Sequence, residues 1–123
     1  KVWTDSGETH EAVHDVACSG GAIPDADTHR CPDNGAGVNT SDCSTEAGSG
    51  ANELKAYWTD PDFNADREAA YYVRVLENPT CRWSTWDAVR NGTPPNPELA
   101  ETVQERAWSS PIWYAGLDRV VSE

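Results

Sequence analysis

A chain of 123 residues is long enough for one domain, yet only 37% of its residues are hydrophobic, so any core must depend on its six tryptophans and four tyrosines. The 21 acidic and 9 basic residues give a net charge of −12, which repels phosphate backbones and anionic lipids and argues against nucleic acid and membrane surfaces as partners. No apolar run approaches the roughly 18 residues of a membrane span.

Four cysteines and no methionine suggest an oxidising compartment, so the sequence predicts a secreted or periplasmic protein with two disulfides. Four free, buried thiols are the alternative. A zinc site is disfavoured because no Cys-x-x-Cys pair occurs and the three histidines lie away from ligand spacing. Lys1-Val2-Trp3 resembles the middle of a strand more than a natural start, and we therefore expect residues 1–123 to be a single domain that is a fragment or a processed piece of a larger protein.

The first predicted element is a hairpin. Val2–Thr4 and Thr9–Ala17 flank Asp5-Ser6-Gly7-Glu8, a turn composition with glycine where a positive φ is needed. His10 and His14 are four residues apart, which on a helix would make a metal pair. The hairpin context favours a strand, on which both histidines would share one solvated face.

Residues 19–50 are predicted to form a long irregular loop, because hydrophobic periodicity is almost absent and only Ile23 and Val38 are candidate anchors. Disulfides would replace the missing core. The sequence leaves three connectivities open, of which we favour Cys31–Cys43 together with Cys18–Cys81. Closing the shorter of these rings would remove about 3 kcal/mol of unfolded-chain freedom.

Aromatic and β-branched residues are densest at Tyr71–Leu76, which predicts a strand with neighbours on both sides. Upstream, a half-buried strand that ends at Thr59 is predicted from the alternation of Leu54, Ala56 and Trp58 with the residues between them.

The period changes after Trp83. Ser84 as N-cap with Asp87 three residues later, and Asn91-Gly92 at the other end, predict one short helix. All elements together predict a mainly β fold, a small antiparallel β-sandwich with one short helix and a long disulfide-stapled loop. The remaining predicted elements are a single helical turn from Asn96-Pro97 through Glu101, a strand at Thr102–Trp108, a break at Ser109-Ser110-Pro111, a strand at Ile112–Tyr114 and a frayed tail over residues 117–123.

Oxygen-bearing side chains recur at every second position of the acidic linker before the central strand. Ligands so spaced can converge on calcium, although the segment lacks the glycine and the glutamate of an EF-hand. The alternative is a solvated turn whose side chains accept hydrogen bonds from their own backbone. The candidate calcium ligands are Asp60, Asp62, Asn64 and Asp66. A second, weaker set surrounds Cys31, where Pro24 and Pro32 could order the loop instead: Asp25, Asp27, Asp33 and Asn34.

No catalytic constellation is recognisable in the sequence. Ser109-Ser110 has no accompanying histidine or strand-turn-helix elbow, and in so acidic a chain neighbouring carboxylates carry no signal. We therefore assign no catalytic and no substrate-binding residue. Four tryptophans could form a sugar-stacking platform, but packing in a small core is favoured: Trp83, Trp86, Trp108 and Trp113.

Three stretches together resemble one protein family, in the same order along nearly the whole chain. They are Gly7–Glu11 with Asp15–Ala17, Tyr71–Ala88, and Gln104–Tyr114, of which the last is the most specific. They are similar to the C-terminal end of large bacterial proteins catalogued as domain of unknown function 3604. That family resembles a branch of the polymerase-and-histidinol-phosphatase (PHP) superfamily of metal-dependent hydrolases.

The resemblance implies an accessory C-terminal β-sandwich of a PHP-like hydrolase of phosphate or related esters. The family's metal-binding His and Asp residues belong to an N-terminal domain, and none maps onto this sequence. The implied partner is the remainder of the same polypeptide or an N-terminal metallohydrolase domain, where divalent metals would bind, and this chain alone is expected to be inactive. The alternative function is a non-catalytic extracellular module that binds glycans or calcium.

Overall fold

The computed structural model of the protein describes residues 1–45 and 50–117. Within these ranges the chain forms short strands, one 3-10 turn at Ser19–Gly21 and one helix, α1 (Trp83–Asn91). The strands are β1 (Val2–Asp5), β2 (Glu8–Glu11), β3 (Val38–Asn39), β4 (Ser44–Thr45), β5 (Ala69–Tyr71), β6 (Arg74–Leu76), β7 (Thr80–Cys81), β8 (Thr102–Val103), β9 (Arg106–Trp108) and β10 (Ile112–Tyr114).

Every strand pair in the described part of the chain is antiparallel. A four-stranded sheet has the order β10-β5-β1-β2, and three further ladders pair β3 with β4, β6 with β9 and β7 with β8. The predicted class, mainly β with antiparallel sheets, one short helix and two disulfides, is therefore confirmed. Over the described ranges, no helix is both long enough and apolar enough to cross a membrane.

The N-terminal hairpin forms as predicted, but its second strand is shorter. Asp5 pairs with Glu8, and both intervening residues have positive φ (Ser6 51°, Gly7 84°), which is the two-residue type I′ turn that suits twisted strands. The second strand ends at Glu11 and not at Ala17. The chain leaves the sheet there because its backbone turns to the cysteine loop, where the Asp15 N–H donates to the carbonyl of His29 at 2.9 Å.

The central stretch is divided in two. Strand β5 lies inside the four-stranded sheet, with β1 on one side and β10 on the other, so the predicted neighbours on both sides are confirmed as far as Tyr71. Val73 then interrupts the ladder, since its N–H donates to the hydroxyl of Ser109 at 2.9 Å. Strand β6 follows and pairs with β9 alone.

The strand predicted at Leu54, Ala56 and Trp58 does not form. The segment joins no ladder in the described structure, although β2 and β10 are the edge strands of the sheet. Trp58 packs instead against the rings of His14 and Tyr71. The alternation of side chains in this segment therefore does not correspond to strand pairing. Leu54 is 49% exposed, and Tyr57 is fully exposed.

The helix begins one residue before the predicted N-cap. Arg82 occupies the N-cap without a side-chain hydrogen bond, so Ser84 lies inside the helix and caps nothing. The predicted end is correct, because Gly92 adopts the left-handed conformation (φ 63°) and its N–H bonds back to Ala88 and Val89. The side chain of Thr85 is 1% exposed, and its hydroxyl donates to the carbonyl of Glu101 at 2.8 Å.

The C-terminal third follows the prediction in part. Thr102–Trp108 divides into β8 and β9 because its two halves pair with different strands, β7 and β6. Asn96 begins a turn closed by the N–H of Leu99, not a helical turn. Strand β10 forms after the predicted break, and of the predicted tail only Leu117 lies within the described residues.

The disulfides differ from the favoured pairing. They join Cys18 to Cys31 and Cys43 to Cys81, each with a Cα–Cα distance of 5.6 Å, so the prediction of Cys31–Cys43 with Cys18–Cys81 was wrong. Asp15 explains the difference, because its carboxylate accepts the N–H of Cys31 at 2.7 Å and holds that residue beside the segment that carries Cys18. Cys43, the last residue of the β3–β4 turn, then bonds to Cys81 in β7.

The expected tryptophan core is absent from the described part of the chain. The buried residues there are small: Cys18, Cys43, Ala69, Ala70, Cys81, Thr85 and Ala88. The four tryptophans assigned to a core are exposed instead, at 71% for Trp83, 38% for Trp86, 60% for Trp108 and 78% for Trp113. Ile23, the expected loop anchor, is 82% exposed. Disulfides and backbone pairing thus replace a hydrophobic core.

Candidate functional site

The most enclosed charges in the described structure form what we call the Asp60 cluster, which consists of Lys1, Asp60 and Tyr71. The Lys1 ammonium forms an ion pair with Oδ2 of Asp60, and the two side chains are only 4% and 7% exposed. The Tyr71 hydroxyl donates to the same oxygen at 2.7 Å. The cluster therefore joins the N-terminal strand, the acidic linker and the central strand β5 at one carboxylate.

Burial and hydrogen bonding act in opposite directions on Asp60. Loss of solvent would raise the pKa of its carboxyl, but the hydrogen bonds from Lys1, Tyr71 and the Asp62 N–H, with the charge of Lys1, hold that pKa below its ordinary value. For Tyr71 both effects agree. Burial, with the hydrogen bond to the Asp60 carboxylate, raises the pKa of the phenol to about 12. At neutral pH the cluster holds one ammonium, one carboxylate and one neutral phenol.

Aromatic rings extend the cluster on both sides. On one side Trp58 lies 6.4 Å from Tyr71 between ring centroids, followed by His14 at 5.2 Å from Trp58 and His29 at 4.6 Å from His14. On the other side the Lys1 ammonium lies 5.0 Å from the centre of the Trp3 ring, which stacks on His10 at 5.4 Å. All three histidines belong to these two groups of rings, His14 and His29 to the first and His10 to the second.

The predicted sharing of one strand face by His10 and His14 was wrong. His10 lies in β2, but His14 lies beyond its end and packs against Trp58 instead. Sequence reasoning also missed Lys1 and the Tyr71 hydroxyl, because neither the spacing of residues 1, 60 and 71 nor their types signals that they meet.

The side-chain oxygens of the acidic linker accept hydrogen bonds from the linker's own backbone and contact the Lys1 ammonium. Asp60 Oδ1 accepts the N–H of Asp62 at 3.0 Å, and Asn64 Oδ1 accepts the N–H of Asp66 at 2.9 Å, as the solvated-turn alternative expected. Across residues 1–45 and 50–117, no three His, Cys, Asp or Glu side chains are grouped so that they could hold a metal ion. Calcium binding by Asp60, Asp62, Asn64 and Asp66 stays a prediction without a preformed group of ligands.

The second acidic set has the same character. Asp25 Oδ1 accepts the backbone N–H of Thr28 at 2.7 Å, its hydroxyl at 2.8 Å and the N–H of Asp27 at 3.1 Å, and these bonds hold the pKa of the Asp25 carboxyl below its ordinary value. Asp33 Oδ1 accepts the N–H of Gly35, and Asn34 Oδ1 that of Ala36. The side chains order the loop locally.

The β6–β9 ladder carries a second cluster, which we call the arginine face. Arg74 pairs with Trp108 and Leu76 pairs with Arg106, and directly opposed residues of an antiparallel ladder point to the same side. All four residues are exposed, with Leu76 at 44% and Trp108 at 60%. Sequence alternation predicts which residues share this side but not that water reaches them.

The geometry defines a class of protein: a small, mainly β chain, tied by two disulfides, with one enclosed ion pair and with large apolar side chains on its surface. The family is identified by comparison. Residues 1–116 match the model of the family described as Protein of unknown function (DUF3604), and the chain belongs to that family. No curated protein and no solved structure matches the chain.

Proposed function

We propose that this chain is an accessory β-sandwich unit that packs against the remainder of a larger polypeptide, with any reaction centre outside it. The observation that carries the proposal is the solvent-accessible surface of the chain, 9504 Å². A folded monomer of 13.4 kDa exposes about 6,500 Å² by the scaling of area with mass. The excess, about 3,000 Å², is larger than the roughly 1,000–2,500 Å² that each partner contributes to a large permanent interface.

The residues outside the described ranges are too few to supply this excess. Residues 46–49 and 118–123 number ten, and a fully extended segment of that length exposes at most about 1,600 Å². At least about 1,400 Å² of the excess therefore belongs to the described residues. Their exposed apolar groups, with Trp113 at 78% and Ile112 at 72%, are the kind of surface that another protein part covers.

We further propose that the remainder carries a PHP-like metal-dependent hydrolase of phosphate or related esters, and that the protein is secreted or periplasmic. Membership of the DUF3604 family supports the first point. By the sequence resemblance described above, that family is similar to the PHP superfamily, and its metal-binding residues belong to an N-terminal domain. Two disulfides support the second, since such bonds persist in oxidising compartments. Divalent metals would then bind the N-terminal domain.

Intact mass and hydroxyl-radical footprinting test the proposal on the protein from its source. We expect peptides of this chain in a species much heavier than 13.4 kDa. In that species Trp113 and Ile112 should be modified at least fivefold more slowly than in the denatured protein, because the remainder covers them. A 13.4 kDa species alone, or equal modification rates in the folded and denatured protein, would refute the packing role.

A non-catalytic glycan-binding module is the second candidate, and the exposed indoles of Trp83, Trp108 and Trp113 favour it. No ring stacking joins these three indoles in the described structure, so each would act as a separate platform. This function requires that the three indoles are freely modified in the folded protein and become protected when a glycan is added. Protection without added glycan would exclude it.

A further inference from the structure

The β6–β9 ladder is open on both sides. All six residues of the two strands are exposed, and an isolated two-stranded ladder is marginally stable in water. One side is the arginine face. The opposite side carries Val75 and Ala107 and ends in Glu77 and Glu105, whose backbones are joined by a 3.0 Å hydrogen bond. The two sides therefore differ in charge, one being cationic and the other anionic.

The arginines of this face are unusual among the cations of the described chain. Lys1, Arg30, Lys55 and Arg67 each form an ion pair with a carboxylate. Within residues 1–45 and 50–117, Arg74 and Arg106 form neither an ion pair nor a side-chain hydrogen bond, although the chain has 21 acidic residues. Their diagonal placement puts the two residues about 7–8 Å apart, with Leu76 and Trp108 on the other diagonal.

We propose that the arginine face is the docking surface for an acidic patch on the remainder of the polypeptide, with at least two carboxylates around an apolar centre. This inference rests on the packing role proposed above and names the side that docks. Arginine and tryptophan dominate the binding energy of protein interfaces, and guanidinium groups match carboxylates in a bidentate geometry. An acidic partner would meet repulsion on the opposite side, where Glu77 and Glu105 lie together.

Charge also selects against other occupants. A second copy docked symmetrically through this face would bring four arginines together, since a two-fold interface opposes the same patch to itself. A neutral glycan could accept hydrogen bonds from the two guanidinium groups beside Trp108 but would leave both of their charges without a counter-charge. Around an apolar leucine, a protein surface with carboxylates fits both the charge and the shape.

Charge reversal in the full polypeptide tests the proposal. R74E/R106E should increase radical modification of Trp108 at least fivefold, because the acidic patch is then repelled. The control K55E/R90E makes the same charge change at two exposed cations outside the face and should leave Trp108 unchanged. If R74E/R106E also leaves Trp108 unchanged while Trp113 stays protected, the arginine face is not the docking side and the packing role survives. If both indoles are already unprotected in the unmodified protein, both proposals fail.

A conservative variant covers the case in which charge reversal prevents folding. R106K introduces a primary amine that a zero-length carbodiimide couples only to a carboxylate in contact with it. We expect a cross-link from position 106 to an acidic residue outside residues 1–123, within the same polypeptide. Cross-links that join two isotopically distinct copies would assign the face to self-association. Protection of Trp108 only after a sulfated glycan is added would assign the face to saccharide binding. The absence of any cross-link from position 106 would exclude an acidic patch in contact with the face. Each of these three results overturns the proposal.

Discussion

Replacing Asp60 by asparagine should weaken the four-stranded sheet, because it leaves the Lys1 ammonium without a counter-charge while its side chain is only 4% exposed. Removing one partner of a fully buried ion pair costs about 3–5 kcal/mol. The Lys1 ammonium keeps its 2.9 Å hydrogen bond to the backbone carbonyl of Asp62, which offsets part of that cost. We therefore expect Asp60→Asn to lower the free energy of opening the sheet by about 2–3 kcal/mol.

Amide hydrogen exchange of Ala69, Ala70 and Tyr71 measures this free energy directly, since the backbone of β5 is paired on both sides. The matched control is Asp62→Asn, the same charge change two residues away at a side chain that makes no ion pair in the described structure. It should cost less than about 0.5 kcal/mol. Equal effects of the two substitutions would show that net charge, and not the Lys1–Asp60 contact, governs the sheet.

Three further predictions follow. Spectrophotometric titration should give Tyr71 a pKa of about 12. Because this value exceeds the pKa of 10 in the unfolded state, the contribution of Tyr71 to stability is complete below pH 10 and is lost as the pH rises from 10 to 12. A normal pKa would contradict the hydrogen bond from Tyr71 to the Asp60 carboxylate. Non-reducing peptide mapping should find the Cys43–Cys81 and Cys18–Cys31 links. Replacing the first pair by alanine should lower the free energy of unfolding by about 4 kcal/mol, and replacing the second pair should lower it by about 3 kcal/mol, because the first disulfide closes the longer loop. The reverse order would contradict this loop-entropy account. Gly116→Ala should cost about 1–2 kcal/mol more than Gly35→Ala in exchange or melting experiments. Both glycines have positive φ (75° and 68°), but only at Gly116 would the new Cβ lie 3.2 Å from a backbone oxygen. Equal costs would exclude this contact.

Local sequence signals predicted the parts of the fold that depend on neighbouring residues. The turn at Ser6-Gly7 and the helix end at Gly92 both need positive φ, and glycine marks them in the sequence. The strand at Ile112–Tyr114 follows a proline that ends the preceding segment. These predictions succeeded because each rests on backbone geometry over a few residues.

Contacts between distant segments could not be predicted in the same way. The favoured disulfide pairing chose the shortest ring around Cys31, but Asp15 determines its partner through a hydrogen bond across sixteen positions. The strand expected at Leu54–Thr59 does not form, and Trp58 packs instead against His14 and Tyr71, contacts between distant segments that local alternation does not indicate. The Asp60 cluster joins positions 1, 60 and 71, and no local pattern links them.

The failed tryptophan core has a different physical meaning. Alternation and aromatic density at Tyr71–Leu76 and Arg106–Trp108 predicted strands, and strands form at both places, but the residues expected inside remain exposed. Such a pattern is typical of segments that lie against something apolar, because a strand solvated on both sides gains nothing from it. Within residues 1–45 and 50–117 no other segment buries these side chains, which supports the packing role proposed above. That combination is what a unit completed by another part of a larger polypeptide requires.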